Sequence, residues 1–156
     1  MINRAVSRTG STALLVAALA VLWSGQAAAQ LPARAFAIPP EVHMASGSAL
    51  WCVYVEPVNG DFDITSVDPC TVQLICNCGG SASAITYNCT KPAVVGDGDN
   101  NGIQDIQLCF QKTAMAALFD GMHGRKPKTV TLGVNGHLVT GGIFTGSVTV
   151  QVYLLD

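Results

Sequence analysis

Ile106, Leu108 and Phe110 alternate with Gln107, Cys109 and Gln111, and this period of two begins directly after an oxygen-rich run, Asp97-Gly98-Asp99-Asn100-Asn101-Gly102-Ile103-Gln104-Asp105. A period of two puts alternate side chains on opposite faces of an extended strand, so the loop empties into a sheet. Within the loop, side-chain oxygens recur at every second position and a glycine follows the third. That is the layout of an EF-hand calcium loop, in which side chains at positions 1, 3, 5 and 9 and the carbonyl at position 7 ligate the ion, and glycine at position 6 permits the sharp turn. The matching residues are Asp97, Asp99, Asn101, Asp105, Ile103 through its carbonyl, and Gly102. Position 12, where a bidentate Glu normally completes the shell, is Leu108. It lies inside the alternating run, whose apolar face claims it for a core. The expectation is a structural Ca2+ site at a strand entry, completed by water or by an acidic residue from elsewhere. Its affinity should fall in the weak range of extracellular modules, ~10⁻⁴ to 10⁻³ M. The alternative is that Asn101-Gly102 is a tight turn and nothing more.

Other segments repeat the period of two. Trp51, Val53 and Val55 alternate with Cys52, Tyr54 and Glu56 before Pro57, and Thr71 to Cys76 reads as a second strand. A polar stretch around Gly79-Gly80 leads to the short run Ala84 to Tyr87, which predicts a hairpin. Thr129 to Val134 and Leu138 to Thr140 are strand-like, with Asn135-Gly136 between them as a hairpin signal, and Ser147 to Leu154 alternates as a closing strand. One short helix is expected, capped by Thr113, running from Ala114 to Phe119 and stopped by Gly121, with Met115, Leu118 and Phe119 packed on the sheets. Asp61, Asp63 and Asp68 fall in turns, where acidic side chains usually cap backbone amides.

The N-terminus carries Arg4 and Arg8, an apolar run from Ala13 to Trp23 and then Ala27-Ala28-Ala29. This is the form of a cleavable export signal over residues 1–29, cut after Ala29. The run is too short to span a bilayer, which takes ~20 residues, and Gln30 is no lipid-anchored cysteine. Residues 30–48, with Pro32, Pro39, Pro40 and Gly47, read as an extended lead-in segment, and residues 49–156 as one domain. Removing Arg4 and Arg8 from 8 basic residues leaves 6 against 10 acidic ones, a charge of -4. That balance argues against nucleic acid as a partner. The basic cluster Arg125, Lys126 and Lys128 reads as a solvated turn.

Six cysteines, Cys52, Cys70, Cys76, Cys78, Cys89 and Cys109, follow the signal, and an even count in an exported chain predicts disulfides. Zinc is disfavoured because Cys76-Asn77-Cys78 lacks the usual two-residue spacing and has no histidine nearby. Six cysteines allow 15 connectivities, and a hairpin tied by Cys76 or Cys78 to Cys89 fits the spacing. Asn88-Cys89-Thr90 matches the short glycosylation sequon.

The order of these stretches resembles secreted bacterial and archaeal modules of immunoglobulin-like or cohesin-like type. The resemblance is carried by Phe62-Asp63-Ile64-Thr65, Asp68, Thr71-Val72, Gly96-Asp97, Asp99, Gly102, Asp105, Phe110, Phe144 and Gly146-Ser147, within residues 50–156. It implies an all-β fold: an immunoglobulin-like antiparallel β-sandwich of about seven strands with one short helix, here hardened by disulfides that the pattern itself lacks.

An enzyme is not expected. No nucleophile elbow, His/Cys pairing or paired-Glu constellation occurs, and His43, His123 and His137 are scattered. The expected role is a secreted, non-catalytic binding or adhesion module at the cell surface, outside the cell or in the periplasm. Its partners would be an extracellular protein or a polysaccharide, with no membrane span after signal cleavage. The alternative is a structural subunit of a surface assembly or filament that self-associates by adding its N-terminal segment to a neighbour's sheet.

Overall fold

The computed structural model describes residues 30–45 and 47–154. The expected export signal, residues 1–29, lies outside the described residues. Among those described, no helix is long and apolar enough to cross a membrane.

The protein is mostly β, with 50% of the described residues in strands and 9% helical. The strands are β1 (Gln30–Phe36), β2 (Glu41–His43), β3 (Leu50–Pro57), β4 (Val67–Ile75), β5 (Ala84–Thr86), β6 (Val94–Gly96), β7 (Asp105–Gln111), β8 (Lys128–Leu138) and β9 (Ile143–Tyr153), with one helix, α1 (Lys112–Phe119). They form one hydrogen-bonded path in the order β5-β4-β8-β9-β1-β3-β7-β6, and β2 pairs with β9. Among the described residues the count is nine rather than about seven, and two of the pairings are parallel rather than antiparallel: β1 with β9, and β2 with β9.

Both departures have one cause. The lead-in segment enters the sheet itself. Leu31 pairs with Phe144 of β9, then from Ala33 to Phe36 the same strand pairs with Pro57 to Tyr54 of β3. After the prolines the chain returns to β9 as β2, Val42 opposite Val152. The backbone of this segment is therefore spent within its own chain, in the interior of the path.

Alternation decides which face each strand buries. Val53, Val55, Ile106 and Leu108 from β3 and β7 share one apolar cluster with Leu74, Leu132 and Val150 from β4, β8 and β9. Burying each Val or Leu of this kind is worth about 1.5–3 kcal/mol. Leu108 is fully buried, which accounts for an apolar residue where an EF-hand loop would need Glu.

α1 follows β7 without a break. Met115, Leu118 and Phe119 are buried, as the sequence predicts. Its cap differs from expectation. Gln111, not Thr113, occupies the cap position, and no side chain bonds there. Instead the Lys112 amide donates to the Ala49 carbonyl at 2.9 Å, so a neighbouring strand end satisfies a donor that a capping hydroxyl would otherwise take.

The Asn135-Gly136 hairpin is also corrected. β8 runs straight through both residues, with Asn135 opposite Thr145 and Gly136 opposite Phe144. Gly136 serves close approach: a Cβ there would lie 2.8 Å from the Phe144 ring and 2.9 Å from Val72 Cγ2. The turn falls later, where Gly141 and Gly142 take φ of 93° and 97° and the Gly141 amide donates to the Leu138 carbonyl at 2.9 Å.

Cys52 is bonded to Cys109 across β3 and β7, and Cys76 to Cys78. A hairpin tied by Cys76 or Cys78 to Cys89 is therefore not formed. The β4–β5 register explains it, since Cys76 donates its amide to Ser83 at 2.9 Å while Cys89 falls beyond the other end of the ladder.

Candidate metal centre

The site is built on the outward face of β1, β3 and β7. Since Val53, Val55, Ile106 and Leu108 point inward, Tyr54, Glu56, Asp105 and Gln107 must point outward. Arg34 is opposite Glu56 in the β1–β3 register, and Val55 opposite Ile106 sets Glu56 beside Asp105 in the next pair. Arg34, Glu56 and Asp105 thus form a row across three adjacent strands.

Outward residues are normally wet, yet Glu56 is 3% exposed and Asp105 1%. The cover is the loop between β6 and β7. Its shape is held from within: Asp97 accepts from the Asn101 amide at 3.0 Å and the Gly102 amide at 2.9 Å, and Asn101 Oδ1 accepts from the Ile103 amide at 2.7 Å. Asn100 and Gly102 take left-handed φ values of 57° and 86°, which Asn and Gly tolerate best. The loop is fastened to the sheet at Gly98, whose amide donates to Asp105 Oδ2 at 2.7 Å. Gly98 lies on Tyr54, with no room for a side chain: a Cβ would fall 2.6 Å from Tyr54 Cε1. Tyr54 is in turn held by Gln107, which donates to its hydroxyl at 2.8 Å, and by a stack on Phe36 with centroids 5.1 Å apart.

This closure drives Asp99 toward Glu56 and Asp105. One carboxylate oxygen from each lies within 4.8 Å of the others. Asp99 Oδ1 is buried without a hydrogen-bond partner. Arg34 Nη1 bridges Glu56 at 2.6 Å and Asp99 at 2.8 Å, while its guanidinium sits 4.4 Å over the Phe36 ring. Asn101 Nδ2 donates to Glu56 at 3.0 Å and to Asp99 at 3.3 Å. Three carboxylates against one guanidinium leave a formal charge of -2 when all are ionised.

The electrostatics follow. Burial, reinforced by Asp99, Asp97 and Glu56 and opposed by the Gly98 amide, holds the Asp105 carboxyl above the usual aspartate range. Hydrogen bonds to Glu56 and then Asp99 raise Arg34. An all-oxygen donor set of this kind could hold a hard cation rather than zinc. The orphaned Asp99 oxygen and the residual negative charge both fit such an ion.

Of the residues predicted from the loop spacing, Asp99 and Asp105 enter the cluster. Asn101 reaches it through its amide nitrogen, Asp97 turns its carboxylate to the loop's own amides, and Ile103 is 44% exposed. The third carboxylate of the cluster comes from outside the loop, from Glu56 on β3. Asp63 and Asp68 are not in this group: they accept from the Thr65 and Cys70 amides at 2.9 and 3.1 Å. Glu56 is legible in sequence only as a polar position of an alternating strand, which places it on the outward face and no further, and Arg34 falls in the lead-in segment, where no sustained alternation marks a strand. The histidines stand on separate elements, with His43 on β2 bonded to Glu41 at 3.1 Å, His137 on β8 and His123 after α1.

No protein-family model, curated protein or solved structure matches this chain.

Proposed function

We propose that this chain is an exported, non-catalytic β-sandwich module of immunoglobulin-like or cohesin-like type, working in binding or adhesion outside the cell. Its loop from Asp97 to Asp105 is a structural calcium-type site. The observation that carries the reading is the meeting of the buried Glu56 and Asp105 with the half-buried Asp99 of the loop that covers them. Burying two carboxylates beside a third, half-buried one costs several kcal/mol per uncompensated charge, and Arg34 compensates one of them fully at most. A bound divalent cation would supply the missing positive charge. Glu56 would take the part that Glu plays at position 12 of an EF-hand, and Asp99 and Asp105 would be the loop's own carboxylate donors.

The sandwich is supported by the path of β1. It pairs first with β9 and then with β3, so it links a β5-β4-β8-β9 half to a β3-β7-β6 half whose inward residues share one core. Two faces packed on one core, joined by a strand that changes partners, is how a sandwich forms from a continuous ladder. Fixing one end of such a sandwich presents neighbouring loop tips in a constant geometry, which is what a binding surface needs.

Titration calorimetry with calcium chloride tests the site. Binding at a submillimolar to millimolar constant in the wild type, with Glu56→Gln weakening it at least tenfold, supports the reading. Equal heats for both proteins would refute it. Arrays of extracellular proteins and polysaccharides, probed with and without calcium, test the adhesion role.

A further inference from the structure

Cys70, near the start of β4, and Cys89, in the loop after β5, carry no bond in the structure, and both are exposed. The β4–β5 register runs Ile75 to Ala84, Leu74 to Ile85 and Gln73 to Thr86. Tyr87 donates its amide to the Val72 carbonyl at 2.8 Å, which carries the ladder past its last paired residues. In an antiparallel pair each step moves one residue back on one strand and one forward on the other. Continued by the same count beyond the last paired residues, through the irregular part of β4 between Asp68 and Gln73, this register would bring Thr71 to Asn88 and Cys70 to Cys89.

Local contacts hold both ends of this pair. Asp68 accepts from the Cys70 amide at 3.1 Å, and Asn88 accepts from the Thr90 amide at 3.1 Å and its hydroxyl at 2.8 Å. The Cys89 thiol is near enough to Cys70 to shift its titration upward, and after burial the charges of both raise the Tyr87 hydroxyl. The same arrangement is already closed on the other half of the fold, where Cys52 and Cys109 stand opposite each other on β3 and β7 and are bonded.

We propose that Cys70 and Cys89 form a third disulfide, a cross-strand bond that fastens the far end of the β4–β5 hairpin, made by exchange with a disulfide oxidant met on export. The thiolate of one cysteine attacks a sulfur of the oxidant, whose S–S bond breaks to release one thiol and leave a mixed disulfide. The second cysteine, as thiolate, attacks the protein sulfur of that intermediate and expels the oxidant's other half as a second thiol. The cysteines together lose two electrons and two protons, and one oxidant disulfide becomes two thiols. Before closure, the neighbouring Cys89 thiol helps push the Cys70 thiol up to about 11. Little thiolate is therefore present near neutral pH, and closure accelerates as pH rises toward that value. The bond anchors β5, a three-residue strand at one end of the path. Export enters only as the source of the oxidant; the pairing rests on the β4–β5 register.

The full chain, refolded with oxidised glutathione, denatured and alkylated without reduction, tests this. The expected result is no alkylated cysteine, and a chymotryptic digest cut after Leu74 and Tyr87 that links the fragment bearing Cys70 to the one bearing Cys89. Cys70→Ser should expose one titratable thiol per chain and lower the melting temperature on the order of 10 °C, the effect of opening a loop of about 20 residues. Alkylation of both Cys70 and Cys89 after oxidation overturns the proposal, as does Cys89 linked to Cys76 or Cys78. The wild-type map decides the matter even if the variant does not fold.

Discussion

Gly98→Ala is the sharpest perturbation of the covered carboxylates. The added methyl would stand 2.6 Å from Tyr54 Cε1, 2.8 Å from Cδ1 and 3.3 Å from Asp105 Oδ2. Carbon pairs settle at about 3.5–4.0 Å, so the loop must rise by roughly 1 Å or Tyr54 must leave its stack on Phe36. Either movement strains the 2.7 Å bond from the Gly98 amide to Asp105. Overpacking of this sort costs about 1–3 kcal/mol, roughly 3–9 °C in melting temperature for a domain this size. Scanning calorimetry of wild type, Gly98→Ala, Tyr54→Ala and the double variant forms a cycle. Without the ring the alanine has room, so its cost should fall to a few tenths of a kcal/mol in the Tyr54→Ala background. If Gly98→Ala melts with the wild type, or its cost is unchanged without Tyr54, the loop does not lie on the ring and the cover over Glu56 and Asp105 is lost from the explanation.

Three further outcomes are expected. Arg34→Met leaves Glu56 buried with one fewer partner, so the calcium-free protein should lose about 1–3 kcal/mol, read as a lower denaturation midpoint; with the competing cation gone, calcium should bind several-fold more tightly by titration calorimetry. Asp105 has a raised folded pKa, so its favourable contribution is present below its unfolded pKa and is lost as pH rises through the folded value. In chelator, the melting temperature of Asp105→Asn should therefore gain on the wild type as pH climbs from about 4 to 7, and calcium should reverse that gain. Gly136→Ala should cost about 1–3 kcal/mol through contact with Phe144 and Val72, measured by urea denaturation; a change smaller than about half a kcal/mol would put Gly136 in an open turn after all.

Local pattern was enough to read much of this molecule. The alternation at Trp51 to Val55 and Ile106 to Phe110 marks two strands that pair residue for residue, and Leu108 is buried where the period requires. Met115, Leu118 and Phe119 are buried on the helix for the same reason. What escaped depends on partners distant in sequence. Gly136 looks like a hairpin glycine because Asn-Gly favours such turns, but Phe144 and Val72 decide its role from two other strands. Arg34 and Glu56 join the loop only because β1 changes partners from β9 to β3, a crossing that no run of residues within the lead-in announces. Asp97 and Asn101 have ligand spacing, yet they also suit the Asx-type bonds that shape the loop, and spacing alone does not separate the two uses.

The most direct measurement is the melting temperature of the wild type and of Glu56→Gln/Asp99→Asn/Asp105→Asn in chelator and in 10 mM calcium chloride. With a dissociation constant of about 0.3 mM, within the range of extracellular modules, calcium should stabilise the wild type by about 2 kcal/mol, a rise of roughly 5–8 °C. The triple variant should not respond. A wild-type melting temperature unchanged by calcium, or an equal rise in the triple variant, would contradict a calcium-type site at Glu56, Asp99 and Asp105.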